Sequence, residues 1–165
     1  MNYEVEIPFA EAVRGTQLRL QIGERKINVR IPPGTRNNSL LRVKGKGQPG
    51  INGGPPGDLL LRVKVLPHEI FTMKGHNLHC QVQVPLTTAI LGGKVDVPTF
   101  DGKAVLNIPP GTQPGQKFRL KGKGMKIGKT DKYGDEIVEV QVKIPKNLSP
   151  EARRLVEQLD ALLPR

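Results

Sequence analysis

Apolar and polar residues alternate along much of the chain, and this period of two is typical of half-buried β-strands. The alternation runs through residues 3–7, 17–22, 26–31 and 62–65. Between these stretches, Pro-Pro-Gly segments predict turns, because proline fixes φ and a following glycine accepts a positive φ. The pattern therefore predicts a unit of four or five short strands, similar to a β-sandwich.

The same pattern occurs twice. A shift of 77 residues aligns residues 3–65 with residues 80–142 without a gap, and 19 of these 63 positions are identical. The identities include an Ile-Pro-Pro-Gly-Thr segment and a Lys-Gly-Lys-Gly segment in each half. A gapless match with matching turns indicates two tandem copies of one fold. We call residues 3–65 the first copy and residues 80–142 the second copy.

The period changes near the C-terminus, where Ser149, Pro150 and Glu151 form a typical helix start. A helix of about 14 residues is marginal alone in water, so it is expected to dock on its own chain or on a second copy of the protein. The apolar stripe of this helix consists of Leu155, Val156, Leu159, Leu162 and Leu163. The chain is predicted to be mainly β, with two tandem homologous β-sandwich-like domains (1–76 and 77–148) followed by a short C-terminal helix (149–165).

Composition and charge narrow the class of protein. No apolar run approaches the roughly 18 residues of a membrane span, and the first residues do not form a secretory signal. A single cysteine excludes an internal disulfide, so a reducing, cytoplasmic setting is expected. The net charge of +11 is spread evenly, with +6 over residues 1–77 and +5 over residues 78–165. This distribution suits a solvated surface, or one that attracts acidic peptides or nucleic acid.

The sequence has few residues suited to catalysis or metal binding, so we predict neither an enzyme nor a bound cofactor. His68, His76 and His79 lie near Cys80 and superficially suggest metal ligands. However, Cys80 occupies the position of Tyr3 in the other copy, at an inward-facing phase, which predicts a buried structural thiol and no metal site. The Lys-Gly-Lys-Gly segments lack the spacing of a phosphate-binding loop and predict turns or bulges.

Apolar side chains of the first copy allow two interpretations. Val5 and Ile7 share one phase, while Leu18, Leu20 and Ile22 share another. All five could fill the sandwich core. Alternatively, two strands could leave an apolar groove along a sheet edge, to which an extended peptide adds as a further strand.

Several segments make the chain resemble the C-terminal region of DnaJ-type J-domain co-chaperones. They include residues 57–68, 75–80, 91–98, 105–112 and 115–124. The short turn at residues 23–25 stands where zinc-bearing members insert a cysteine-rich zinc finger, so the chain resembles the zinc-free class, which includes curved-DNA-binding-protein-like members. The family's helical J domain and its Gly/Phe-rich linker are not found, so the chain is expected to be part of a longer protein.

The resemblance implies that the first domain binds unfolded client polypeptides in a hydrophobic groove. It also implies delivery to a DnaK-type seventy-kilodalton chaperone through the full-length protein, and a homodimer held by the apolar stripe of the terminal helix. A curved-DNA-binding module is the alternative function, and no membrane partner is expected. The groove positions implied by the resemblance are Val5, Ile7, Leu18, Leu20, Ile22 and Phe71. The second-copy positions Val82, Val84, Val95 and Val97 predict a weaker site or none.

Overall fold

The computed structural model describes residues 1–50 and 53–165. Within them the chain forms β-strands, two short helices and a longer C-terminal helix. In chain order the elements are β1 (Asn2–Ile7), α1 (Phe9–Arg14), β2 (Thr16–Ile22), β3 (Arg25–Ile31), β4 (Ser39–Val43), β5 (Leu59–Val65), β6 (Thr72–Lys74), β7 (Asn77–Pro85), α2 (Leu86–Leu91), β8 (Gly93–Thr99), β9 (Gly102–Ile108), β10 (Lys117–Leu120), β11 (Glu136–Lys143) and α3 (Pro150–Leu162). The predicted mainly β fold is confirmed.

In the first copy a three-stranded sheet packs with a two-stranded hairpin. The sheet has the order β1-β5-β4, with β1 parallel and β4 antiparallel to β5, and the hairpin joins β2 to β3. Both contribute side chains to one cluster, which we call the first core, because alternate residues of each strand face inward. The buried members of the first core are Ile7, Ala12, Ile27, Val29, Ile31, Leu61 and Val63.

The second copy repeats this arrangement closely. Helix α2 and strands β8 and β9 begin and end 77 residues after α1, β2 and β3. The Val95–Leu106 pair of the β8–β9 hairpin corresponds to the Leu18–Val29 pair of β2 and β3. The tandem homologous units predicted from the repeat are thus present.

One strand lies outside the aligned repeat. Strand β6 pairs with β7, so the second sheet has the order β10-β11-β7-β6. Phe71, just before β6, is also buried in the second core, the cluster that includes Leu78, Val97 and Val140. The division into 1–76, 77–148 and 149–165 stays a prediction, but the β-structure of the second copy already begins at Thr72.

The repeated sequence segments form repeated turns. The backbone N–H groups of Gly34 and Thr35 donate to the carbonyl of Ala12, and those of Gly111 and Thr112 donate to the carbonyl of Ala89. Each Pro-Pro-Gly-Thr segment therefore satisfies the carbonyl groups at the end of its short helix. In the Lys-Gly-Lys-Gly turns, the carboxylates of two aspartates accept from backbone N–H groups, namely Asp58 from Gly45 at 3.2 Å and Asp135 from Gly122 at 2.9 Å. These segments are structural turns, as predicted.

The two copies contact each other through aromatic side chains. Phe9 of α1 is buried in the second core, although it belongs to the first copy. The ring of His68 lies 5.1 Å from that of Phe9 and 5.3 Å from that of Phe71, between ring centroids. Its Nδ1 accepts from the backbone N–H groups of Ile70 and Phe71. His68 therefore has a structural role at the junction.

Helix α3 begins as the sequence predicts, because the Ser149 hydroxyl accepts from the backbone N–H of Ala152 at 3.1 Å. In the described chain, α3 buries no side chain. None of the helices within the described residues is long and apolar enough to cross a membrane.

Candidate peptide-binding site

A half-exposed row of apolar side chains follows strand β2. Leu18 pairs with Val29 and Leu20 with Ile27 across the hairpin, so each pair points to the same face. The β3 partners are buried, whereas Leu18, Leu20 and Ile22 are half-buried. Strand β2 therefore presents apolar surface that its neighbour does not.

Strand β1 adds apolar surface at one end only. Along its inward phase, Tyr3 is 39% exposed, Val5 is half-buried and Ile7 is fully buried. The prediction that Ile7 offers surface to a peptide is therefore wrong, because its side chain is enclosed in the first core. We call the four half-buried side chains Val5, Leu18, Leu20 and Ile22 the apolar strip; all four pack against the first core.

Strands β1 and β2 each have a free edge in the described chain. Strand β1 pairs only with β5, and β2 pairs only with β3. The carbonyls of Met1 and Ile7 accept from the N–H groups of Leu60 and Leu66. Because backbone groups of successive residues alternate in direction, the N–H and C=O groups of Glu4 and Glu6 point away from β5. Such groups can pair with an added strand.

The structure separates Phe71 from the apolar strip, which corrects its predicted place in the groove. Its side chain is only 4% exposed and belongs to the second core. It lines a cavity of about 380 Å³ together with Phe9, Val65 and Met73. Val65 and Met73 pack against both cores, so this cavity lies where the two cores meet.

The sequence analysis did not identify two residues of this region, Tyr3 and Met73. Tyr3 shares the phase of Val5, so alternation alone could have included it in the groove. Met73 lies on a strand of three residues, which is too short for the period of two to reveal.

The equivalent region of the second copy is more closed. Val84 and Val97 are fully buried, while Val82 and Val95 are half-buried. Strand β6 pairs only with residues 77–79 of β7, so residues 80–85, the equivalents of residues 3–8, keep a free edge in the described chain. The second copy therefore offers less apolar surface along a comparable free edge.

Cys80 is buried, as its inward phase predicts, and its thiol donates to the Glu136 carboxylate at 3.3 Å. Burial, together with the nearby Glu136 carboxylate, raises the pKa of Cys80 to about 12. The thiol is thus protonated near neutral pH, which disfavours metal binding. Among the described residues, no group of three or more His, Cys, Asp or Glu side chains could hold a metal ion.

Comparison with known proteins agrees with this architecture. The family model described as the DnaJ C terminal domain matches residues 1–145. The chain belongs to this family. A similar DnaJ-family protein, named Chaperone protein DnaJ, comes from Opitutus terrae and is 47% identical over 132 residues. The match covers 80% of this chain but 35% of that relative, so it spans about a third of the relative's length. The DnaJ resemblance inferred from sequence is confirmed.

Proposed function

We propose that this chain is the client-binding part of a DnaJ-type co-chaperone and that non-native polypeptides bind along the apolar strip. One observation carries the proposal: half-exposed aliphatic side chains lie on β1 and β2, which both have a free edge. Non-native chains expose apolar segments and unpaired backbone groups. A site that offers both apolar surface and a strand edge can bind such segments with little demand on their sequence.

The expected affinity is modest. Burying about 200 Å² of apolar client surface would contribute roughly 5 kcal/mol, before the cost of ordering the client. A contribution of about 5 kcal/mol corresponds to a dissociation constant of about 0.2 mM, so one site is expected to bind weakly. Two sites in a dimer would bind a long client more tightly, because the second contact forms at a high effective concentration.

The dimer is part of the proposal, with α3 as the contact. No residue of α3 is buried within the described chain. We therefore favour docking of the apolar stripe on the same stripe of a second copy over docking on its own chain. Its members are all exposed, namely Leu155 (60%), Val156 (48%), Leu159 (39%), Leu162 (81%) and Leu163 (55%).

The wider role is proposed for the full-length protein. Clients held on the apolar strip would be delivered to a DnaK-type seventy-kilodalton chaperone in the cytoplasm. The chain itself would act by binding and would catalyse no reaction. Curved-DNA binding, the alternative suggested by the net charge of +11, has no support from the family match or the DnaJ relative. A phosphate-driven complex would weaken steeply with salt, whereas apolar client binding would not.

Two equivalent substitutions test the client site. Leu18 and Val95 occupy the same position in the two copies, and both are half-buried. Binding of a fluorescently labelled, reduced and alkylated client protein is measured by anisotropy for Leu18→Ser and for Val95→Ser. We expect about a tenfold loss of affinity for Leu18→Ser and less than a threefold loss for Val95→Ser. Equal effects, or no effect of Leu18→Ser in a folded protein, would place the client site elsewhere.

A further inference from the structure

A second surface with a distinct chemistry lies between the two copies. It is a cleft of about 410 Å³, which we call the inter-copy cleft. Val13 and Pro33 of the first copy form an apolar wall, with the ring of Phe100 from the second copy. The charged side chains that line it are Arg14, Asp101, Lys123 and Lys126.

Arg14 is held in a defined position at the cleft. Its guanidinium lies 4.9 Å from the centroid of the Phe100 ring, and it donates to the Phe100 carbonyl at 3.5 Å. A guanidinium has five N–H donors, so most of them remain open to a ligand. A stacked guanidinium also keeps the planar fork that binds carboxylates with two hydrogen bonds.

The cleft carries more positive than negative charge, since Arg14, Lys123 and Lys126 line it together with Asp101. The ion pairs found within residues 1–50 and 53–165 involve none of Arg14, Lys123 and Lys126. Asp101 lines the same cleft, yet it forms no ion pair with these three in that part of the chain. Residues 121–135 carry five lysines and two aspartates, a net charge of +3. The equivalent residues 44–58 of the first copy carry two lysines and one aspartate, a net charge of +1.

The cleft is a product of the junction and not of the repeated fold. Arg14 corresponds to Leu91 in the second copy, and Lys126 corresponds to Pro49 in the first. The two copies approach closely beside the cleft, because a Cβ at Gly34 would overlap the carbonyl oxygen of Lys126. Three cations from two copies thus face one cleft.

From these contacts we infer that the inter-copy cleft binds an acidic peptide segment of a partner protein. Carboxylate side chains match the Arg14 fork and the two lysines, and the apolar wall accommodates the aliphatic parts of a peptide. Asp101 and the small size of the cleft disfavour a nucleic-acid backbone, which needs an extended stripe of cations without acidic residues. This inference does not depend on client binding at the apolar strip.

Anisotropy with a fluorescein-labelled polyglutamate peptide at low salt tests the inference, with polyglutamine as the uncharged probe. Lys123→Glu with Lys126→Glu removes the cleft cations. Lys46→Glu with Lys94→Glu makes the same charge change outside the cleft and is the matched control. We expect at least a tenfold loss of affinity for the first pair and less than a threefold loss for the control pair. Arg14→Lys should lose affinity although it keeps its charge, since a lysine lacks the planar fork.

Other outcomes would overturn the inference. Equal losses in both pairs would mean that only the overall charge attracts the peptide. Tighter binding of a single-stranded oligonucleotide, lost in the same cleft pair, would assign the cleft to nucleic acid. Lys126→Glu could unfold the protein, so Arg14→Ala with Lys123→Glu is the second cleft variant. The side chains of Arg14 and Lys123 are both exposed, so this pair should leave the fold intact. Leu18→Ser should leave polyglutamate binding unchanged, which separates this site from the client site.

Discussion

Leu20 and Ile27 lie opposite each other across the β2–β3 hairpin, yet only Ile27 is buried. Both residues belong to the β2–β3 hairpin, which forms one layer over the first core. The difference in their burial therefore comes from where each side chain lies within that layer. Ile27 is a buried member of the first core, whereas Leu20 is half-buried and packs against that core. Substitutions at these two residues should therefore separate client binding from folding.

We predict that Leu20→Ser weakens client binding about tenfold and lowers the melting temperature only moderately. Ile27→Ala should do the reverse, since deleting a buried isoleucine side chain costs about 2–5 kcal/mol. For a domain of this size, each kcal/mol lowers the melting temperature by about 4–8 °C. Calorimetry and client anisotropy measure the two effects. If Leu20→Ser unfolds the protein, Leu20 is a core residue and the proposed site is wrong.

The terminal helix should control the oligomeric state. Leu155→Glu with Leu159→Glu places two carboxylates on the apolar stripe, and we expect monomers of 18.1 kDa where the unchanged chain forms dimers of twice that mass. Arg154→Glu with Ala161→Glu changes the opposite face and should leave the dimer intact. Multi-angle light scattering gives the mass directly. A dimer that survives the first pair of changes would refute the role of α3.

The contact between the copies can be tested at two equivalent glycines. Gly34 and Gly111 both have a positive φ, of 80° and 79°, so alanine strains the backbone similarly at both. Only at Gly34 would the new Cβ meet the other copy, at the Lys126 carbonyl; at Gly111 it meets nothing within 4 Å. We predict that Gly34→Ala lowers the melting temperature by about 5 °C more than Gly111→Ala, corresponding to about 1 kcal/mol. Equal shifts would mean that the copies are not coupled through this contact.

Glu136 gives the second copy a dependence of stability on pH. Leu59 is its equivalent in the first copy, and both side chains are fully buried. Burial raises the pKa of Glu136 above its ordinary value of 4.5, although the hydrogen bond from Cys80 and the charge of Lys123 act in the opposite direction. One oxygen, Oε1, has no hydrogen-bond partner in the described chain. The core therefore favours the neutral acid.

The contribution of Glu136 to stability is present below pH 4.5 and is lost as the pH rises through its raised pKa. Glu136→Gln cannot ionise, so it should melt at a higher temperature than the unchanged chain at pH 7. This difference should shrink as the pH falls towards 4.5. Melting curves over that range, with exposed Glu24→Gln as the control, measure it. A difference that does not change with pH would show that Glu136 does not ionise in the folded protein.

The repeat and the strand pattern could be predicted from sequence because both depend on local periodicity. Alternation identifies β2 and β3, and the repeated Pro-Pro-Gly-Thr segment identifies the turn that follows β3. Alternation also assigns Ile7 and Leu20 to inward-facing phases. It cannot say which of them the opposite layer covers, since that depends on where each strand lies across the sandwich.

Contacts between the copies could not be predicted in this way. Phe9 belongs to the first copy by sequence, but it packs in the second core. Arg14 and Lys126 are more than a hundred residues apart and share one cleft only after both copies have folded. Glu136 lies at an inward phase, but a carboxyl group is rarely buried, so its residue type argued against the position that it takes.

The free edge of β1 has a consequence for the protein's own solubility. Unpaired strand edges invite pairing with identical chains, and this leads to aggregation. Here two of the three β1 residues whose backbone groups face outward are glutamates, Glu4 and Glu6. A second β1 added along this edge would bring glutamates close to glutamates, which repel each other. An apolar segment interspersed with lysine or arginine would meet no such repulsion. The edge is thus protected against self-association while it remains open to basic segments of other proteins.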